Sequence, residues 1–292
     1  MSGSMEFDEL LHLFGSASSL PQLPKSPLRL SELLDKPDAS QNEIEQLIHS
    51  DPALTAGILR AASSALFGRA KPVTTVREAV MLLGFRSMRS LAVALWTSAL
   101  VSESTHRSQL DTDRFARNGN FVGALASQLY RRRFSGGSGG RWSHEEIFAA
   151  GVLHNVLFGL LSYVAPKEFD RLYAMGKDKE IGLTQAFLMV HGRDISDLAP
   201  RASEALGLPD VFIETVMGID DPTGTLELRI PLIHLNFARG IAEERGMGLV
   251  PWALPWAPSE EVADVMALED EILEECIGEA RKLLILSGIR SA

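Results

Sequence analysis

Cysteine is almost absent from this chain of 292 residues, where Cys276 stands alone. No disulfide can close within it, so a reducing cytoplasm is the expected setting. The neighbouring Glu274 and Glu275 disfavour a thiolate and argue against a reactive role. Positive charge is also short, with 28 Lys and Arg against 38 Asp and Glu and a formal net charge of −10. That balance disfavours nucleic acid as a partner, because cations must displace the counterions of phosphate. No run of about 18 residues reads as apolar throughout, so no membrane span is expected. Residues 1–6 have neither the basic nor the apolar region of a secretory leader. Strand-period alternation is missing. The glycine-rich residues 135–140 are followed by no Gly-Lys-Ser/Thr and read as a flexible loop, not a phosphate cradle. Neither His144-Glu145-Glu146 nor His191-Gly192-Arg193-Asp194 completes a zinc-protease motif.

What the chain does have is helix signals. Hydrophobic residues make up 46% and charged residues 23%, enough apolar mass for a sizeable core. Ser40 and Glu43 have capping-box spacing, ahead of Ile44, Leu47 and Ile48 on one face. Asp51-Pro52 pairs a cap with a first-turn proline. Thr75 and Glu78 repeat the capping box, and Gly84 reads as the stop of that helix, with a long apolar helix over 87–101. Ser143 to Glu146 caps a helix that is apolar almost all round as far as Leu160, which marks it as central and buried. Further helices are expected near 167–176, 184–191, 195–206, 210–218, 227–245 and 259–287. Three prolines exclude a helix over 249–258, where Trp252 and Trp256 supply apolar surface. The polar stretch 102–113 reads as a boundary, giving an N-terminal unit 1–108 and a C-terminal unit 109–292.

Over its first hundred residues the chain resembles the HDOD family, bacterial all-helical relatives of the HD-superfamily phosphohydrolases. The resemblance is carried by Leu20-Pro21-Gln22-Leu23-Pro24, Ile48-His49-Ser50-Asp51-Pro52-Ala53-Leu54-Thr55, Phe67-Gly68 and Ala79-Val80-Met81-Leu82-Leu83-Gly84, in that order. Looser likeness continues through Gly151-Val152-Leu153-His154-Asn155 and Ile230-Pro231-Leu232-Ile233-His234, so that it covers roughly residues 18–245. It implies an all-α fold, with an N-terminal helical bundle packed on a C-terminal degenerate HD-type domain.

The resemblance also implies where a metal centre would lie. A hydrolytic HD site uses a His, an adjacent His-Asp pair and a distant Asp to hold divalent cations that generate hydroxide. Here Asn118 falls on the first His, His154 on the second, and Asn155 on the Asp. The distant Asp is missing near Asn236. One ligand in four makes no metal site, so neither a metal nor another cofactor is expected. A rearranged set of His154, His191, His234 and Asp220 has no spacing in its favour.

The expected function is a non-catalytic signal-transduction module, a regulatory protein acting through protein–protein interaction. One alternative is a sensor of a nucleotide second messenger such as cyclic di-GMP, with Arg117, Arg131, Arg132, Arg133 and His154 as candidate ligand contacts. Another is a residual metal-dependent phosphohydrolase. Candidate partner contacts are Leu20, Pro21, Leu23, Pro24, Trp252 and Trp256, set against the alternative that these seat the chain on its own body.

Overall fold

The computed structural model describes residues 5–16, 18–20, 25–34, 36, 38–63, 72–103, 107–134, 142–206, 208, 210–222, 229–252, 254 and 256–286. Every regular element among them is helical. In chain order they are α1 (Phe7–Gly15), α2 (Lys25–Leu34), α3 (Gln41–His49), α4 (Pro52–Ala62), α5 (Val76–Glu103), α6 (Thr112–Arg133), α7 (His144–Leu153) and α8 (Val156–Val164). They continue as α9 (Pro166–Lys179), α10 (Leu183–His191), a 3-10 turn (Ile195–Leu198), α11 (Ala199–Leu206), α12 (Asp210–Gly218), α13 (Arg229–Glu244), α14 (Glu260–Val265) and α15 (Asp270–Leu286). The expected all-α class is the one observed.

Local signals act where the sequence places them. The Ser40 hydroxyl accepts from Glu43 N at 3.2 Å and the Glu43 carboxylate accepts from Ser40 N at 3.0 Å, closing the capping box of α3. The Asp51 carboxylate accepts from Ala53 N and Leu54 N, at 2.8 and 3.1 Å, and starts α4. Gly84, at φ 69° and ψ 168°, leaves helical geometry and ends the first helical stretch as expected, so α5 is two helices meeting at a kink there, the second running on to Glu103.

The helices enclose three apolar cores. Leu30, Ile44, Ile48, Leu54, Ile58 and Met88 form one among α2 to α5. Phe121, Leu125, Ile147, Leu235 and Ile277 form a second among α6, α7, α13 and α15. The third joins Leu10 and Phe14 of α1 to Trp96 of α5, Phe158, Phe169, Phe187 and Leu198. The first helix therefore packs with later ones, although it precedes the expected boundary at 108.

Two departures matter for the site. The apolar stretch expected as one helix is broken into α7 and α8 at His154-Asn155. The stretch His144–Val164 is also long and apolar enough to cross a membrane, contrary to the sequence reading, but 78% of it is buried inside the protein. Its apolarity is core packing. Likewise, residues 259–287 form α14 and α15 with a turn between them.

Candidate functional site

Close approach of two helices builds the site. Gly123 of α6 and Gly151 of α7 meet backbone to backbone, and a β-carbon on either would overlap the other helix. At Gly119 a β-carbon would lie 2.9 Å from the Val152 carbonyl oxygen. Only glycine permits this spacing. It sets Asn118, one residue before Gly119 on α6, against the α7–α8 break.

There a hydrogen-bond chain closes. His154 Nδ1 lies 2.6 Å from the Gly151 carbonyl oxygen, and His154 Nε2 lies 2.8 Å from Asn155 Nδ2. Asn155 Nδ2 also donates to Asn118 Oδ1 at 2.7 Å, and Asn118 Nδ2 donates to the Met247 carbonyl at 2.9 Å. The two terminal carbonyls can only accept, which fixes every group between them. Met247 turns the Asn118 amide, Asn118 turns the Asn155 amide, and the second hydrogen of Asn155 Nδ2 needs an acceptor on His154 Nε2. His154 is therefore the neutral Nδ1–H tautomer. Burial pushes its pKa down to about 4, opposed by the bond to Gly151 and the nearby Asp220 and aided by Arg239.

These residues do not fit a divalent metal. The imidazole lone pair that would ligate is taken by Asn155, and the other two positions offer neutral amides already engaged. Among the described residues no group of three His, Cys, Asp or Glu could hold a metal ion. The rearranged set does not come together either. His191 pairs with Glu168 at 3.1 Å, and His234 lies 2.7 Å from the Ile230 carbonyl and edge-on to Tyr130. Asp220 is ion-paired to Arg239.

Beside the chain lies a cavity of about 60 Å³, lined by Asn118, Asn155, Phe158, Thr184, Arg239, Glu243 and apolar residues of the 249–254 strap. Arg239 and Glu243 of α13 were not picked out from the sequence. Both lie on the helical face of Asn236, three and seven residues on, so the missing distant Asp was the signal that could have led to them. Asn236 itself donates to the Ile219 carbonyl at 2.8 Å. Burial pushes the Glu243 carboxyl up, with Arg239 opposing and Asp220 adding to the rise.

The strap is held from α6. Arg114 Nη1 donates to the carbonyls of Gly246, Gly248 and Val250 at 3.2 to 3.4 Å. Trp252 donates its indole N–H to the Ile181 carbonyl at 3.1 Å and meets Tyr173 edge-on. Trp256 lies on Gly240, where a β-carbon would overlap its ring, and edge-on to Phe237.

The chain resembles known proteins over most of its length. The HDOD domain model matches residues 20–222. The chain belongs to the HDOD family. Three solved structures are similar. An HDOD domain protein of unknown function from Geobacter sulfurreducens is 19% identical, with a TM-score of 0.66 over 97% of this chain and 94% of the other. A candidate signal transduction protein from Marinobacter aquaeolei VT8 is 22% identical, with a TM-score of 0.65 over 98% of this chain and 61% of the other. A candidate metal-dependent phosphohydrolase from Shewanella amazonensis SB2B is 18% identical, with a TM-score of 0.64 over 97% and 98%. At these identities the likeness is one of fold. A comparison with curated proteins gives no match.

The remaining candidate residues of this HDOD protein lie apart from the cavity. Arg131 donates to Gln128 at 3.0 Å, Arg132 pairs with Glu275 at 2.8 Å, and Arg133 donates to the Val265 carbonyl. Arg132 and Arg133 dock the end of α6 on α15 and α14, while the Arg131 bond stays within α6. Arg117 does not line the cavity. Leu20 is 3% exposed in the core. Pro21, Leu23 and Pro24 lie outside the described residues, as do residues 135–140.

Proposed function

We propose that this HDOD protein is a bacterial signal-transduction module that carries out no hydrolysis and acts by binding a protein partner. The observation that carries the reading is the closed chain from Gly151 through His154, Asn155 and Asn118 to Met247, in the positions a hydrolytic centre gives to metal ligands. The signal-transduction description of the Marinobacter relative is in keeping with it. The phosphohydrolase description of the Shewanella relative does not transfer, because the residues here offer no metal-binding donor set.

The nucleotide-sensor alternative is weaker. Phosphate recognition needs free cations, and Arg131, Arg132 and Arg133 are spent within the fold while Arg239 is held by Asp220.

The test is a phosphatase and phosphodiesterase assay on a nucleotide panel with added Mn, Fe, Zn or Mg, run beside a thermal-shift screen with cyclic di-GMP. No turnover and no shift are expected. Metal-dependent turnover would restore the enzyme reading. A saturable shift of a few degrees with cyclic di-GMP would establish the sensor instead.

A further inference from the structure

Two polar atoms meet inside the protein without closing a hydrogen bond. His191 Nε2, at the end of α10, lies 3.1 Å from Glu168 Oε1 of α9, and the two side chains are 2% and 6% exposed. Neither atom has a hydrogen-bond partner among the described residues. Buried polar groups normally find partners, so this junction depends on what covers it. The N-terminal segment is the cover. Met5 N donates to the other Glu168 oxygen, Oε2, at 3.4 Å. The Phe7 ring stands 6.5 Å from the His191 ring and edge-on to Phe187, which itself lies 4.4 Å from His191. Farther along α1, Leu10 and Phe14 enter the core.

The surrounding charges disfavour a further proton. Arg171 of α9 already answers Glu168, with Nη1 3.6 Å from Oε1. Glu6 is exposed, Arg193 over the Phe7 ring lies 3.9 Å from Asp197, and Asp194 caps the 3-10 turn. A proton on His191 would set two cations beside one buried carboxylate, with aromatic rings as the remaining walls. Burial accordingly holds the imidazole below its ordinary pKa of 6.5, with Glu168 opposing and Arg171 aiding. Lifting the segment would readmit water and return the imidazole to its ordinary range. A proton therefore binds the lifted state more tightly than the seated one, and acid favours lifting.

From this we infer that Glu168 and His191 form an acid-released latch, which seats the α1 segment, residues 5–15, at neutral pH and loosens it when His191 takes up a proton. The inference goes beyond the signalling role, and its failure would leave the metal and cyclic di-GMP tests above unaffected.

Native-state hydrogen exchange on the full chain tests it, because exchange reads a local opening even when the open state is rare. After correction for intrinsic rates, protection of the α1 amides should fall several-fold from pH 7 to pH 5. About thirtyfold is the ceiling for one histidine that titrates at 6.5 when exposed. The α1 amides should also show a weaker urea dependence than those of α6, the mark of a local event. His191→Gln should remove the fall at α1. Glu168→Gln, which takes away the carboxylate that tolerates the proton, should steepen it, and His12→Gln on the exposed face of α1 should change nothing. Thermal melts establish that each variant is folded, and an NMR titration of the His191 imidazole in the unaltered chain needs no variant at all. Its midpoint should lie below 6.5, with the Phe7 ring signals moving in step. No fall at α1, the same fall in His191→Gln, a urea dependence shared with α6, or a His191 midpoint at or above 6.5 would overturn the inference.

Discussion

His154 has its imidazole 6% exposed and held between a carbonyl and an amide, so its protonation bears directly on folding. Its folded pKa of about 4 lies below the unfolded value of 6.5. The stabilisation from keeping it neutral is fully present above pH 6.5, is lost as pH falls towards 4, and shrinks no further below that. The loss is about 2 kcal/mol at pH 5 and about 3 kcal/mol below pH 4. His234, pushed by burial to about 4 against the Ile230 carbonyl, adds to it in the same window. Urea unfolding at pH 7 and pH 5 should therefore differ by several kcal/mol, and His154→Gln should flatten part of that slope. Asn155→Leu should cost about 1–3 kcal/mol at pH 7 by leaving Asn118 Oδ1 and His154 Nε2 unpaired. The three residues of this chain were legible through resemblance alone. Their bonding was not, because it depends on where the Met247 and Gly151 carbonyls fall, which no spacing reveals. Arg239 and Glu243 escaped notice because their face of α13 acquires meaning only once α12 and the strap are in place.

At the level of elements, the crossing of α6 and α7 is the joint on which the site depends. Gly151→Ala should force the two backbones apart, lowering stability by about 1–3 kcal/mol in thermal or urea unfolding, with Gly278→Ala on α15, where a β-carbon has open space, as a contrast. The capping boxes at Ser40 and Ser143 and the Asp-Pro start of α4 were read correctly because each is a local exchange of hydrogen bonds. The break between α7 and α8 was hidden because a sequence apolar all round has no periodicity to interrupt. The strap prolines excluded a helix, but the seating of Trp252 and Trp256 needed partners far along the chain. Trp256→Ala should cost about 2 kcal/mol by uncovering Gly240 and Phe237.

At the scale of the whole molecule, α1 secures the body it follows in space, not the helices it precedes in sequence. Leu10 and Phe14 are fully buried against the later helices. Removing residues 1–16 should expose their partners and cost about 3–6 kcal/mol, read as a lower urea midpoint of the transition followed by fluorescence. Nothing in the residue order signals this, since an expected boundary at 108 counts residues along the chain and not contacts across it. The hydrogen-bond chain has one more consequence, for the paths that mutation can take. With Gly151 and Met247 fixing every dipole, Asn155→Asp alone would face one acceptor with two others, Asn118 Oδ1 and His154 Nε2. Asn118→His alone would have to accept from Asn155 and donate to the Met247 carbonyl through a larger ring in place of a buried amide. Each such single substitution should therefore lower stability before it offers a ligand to any metal.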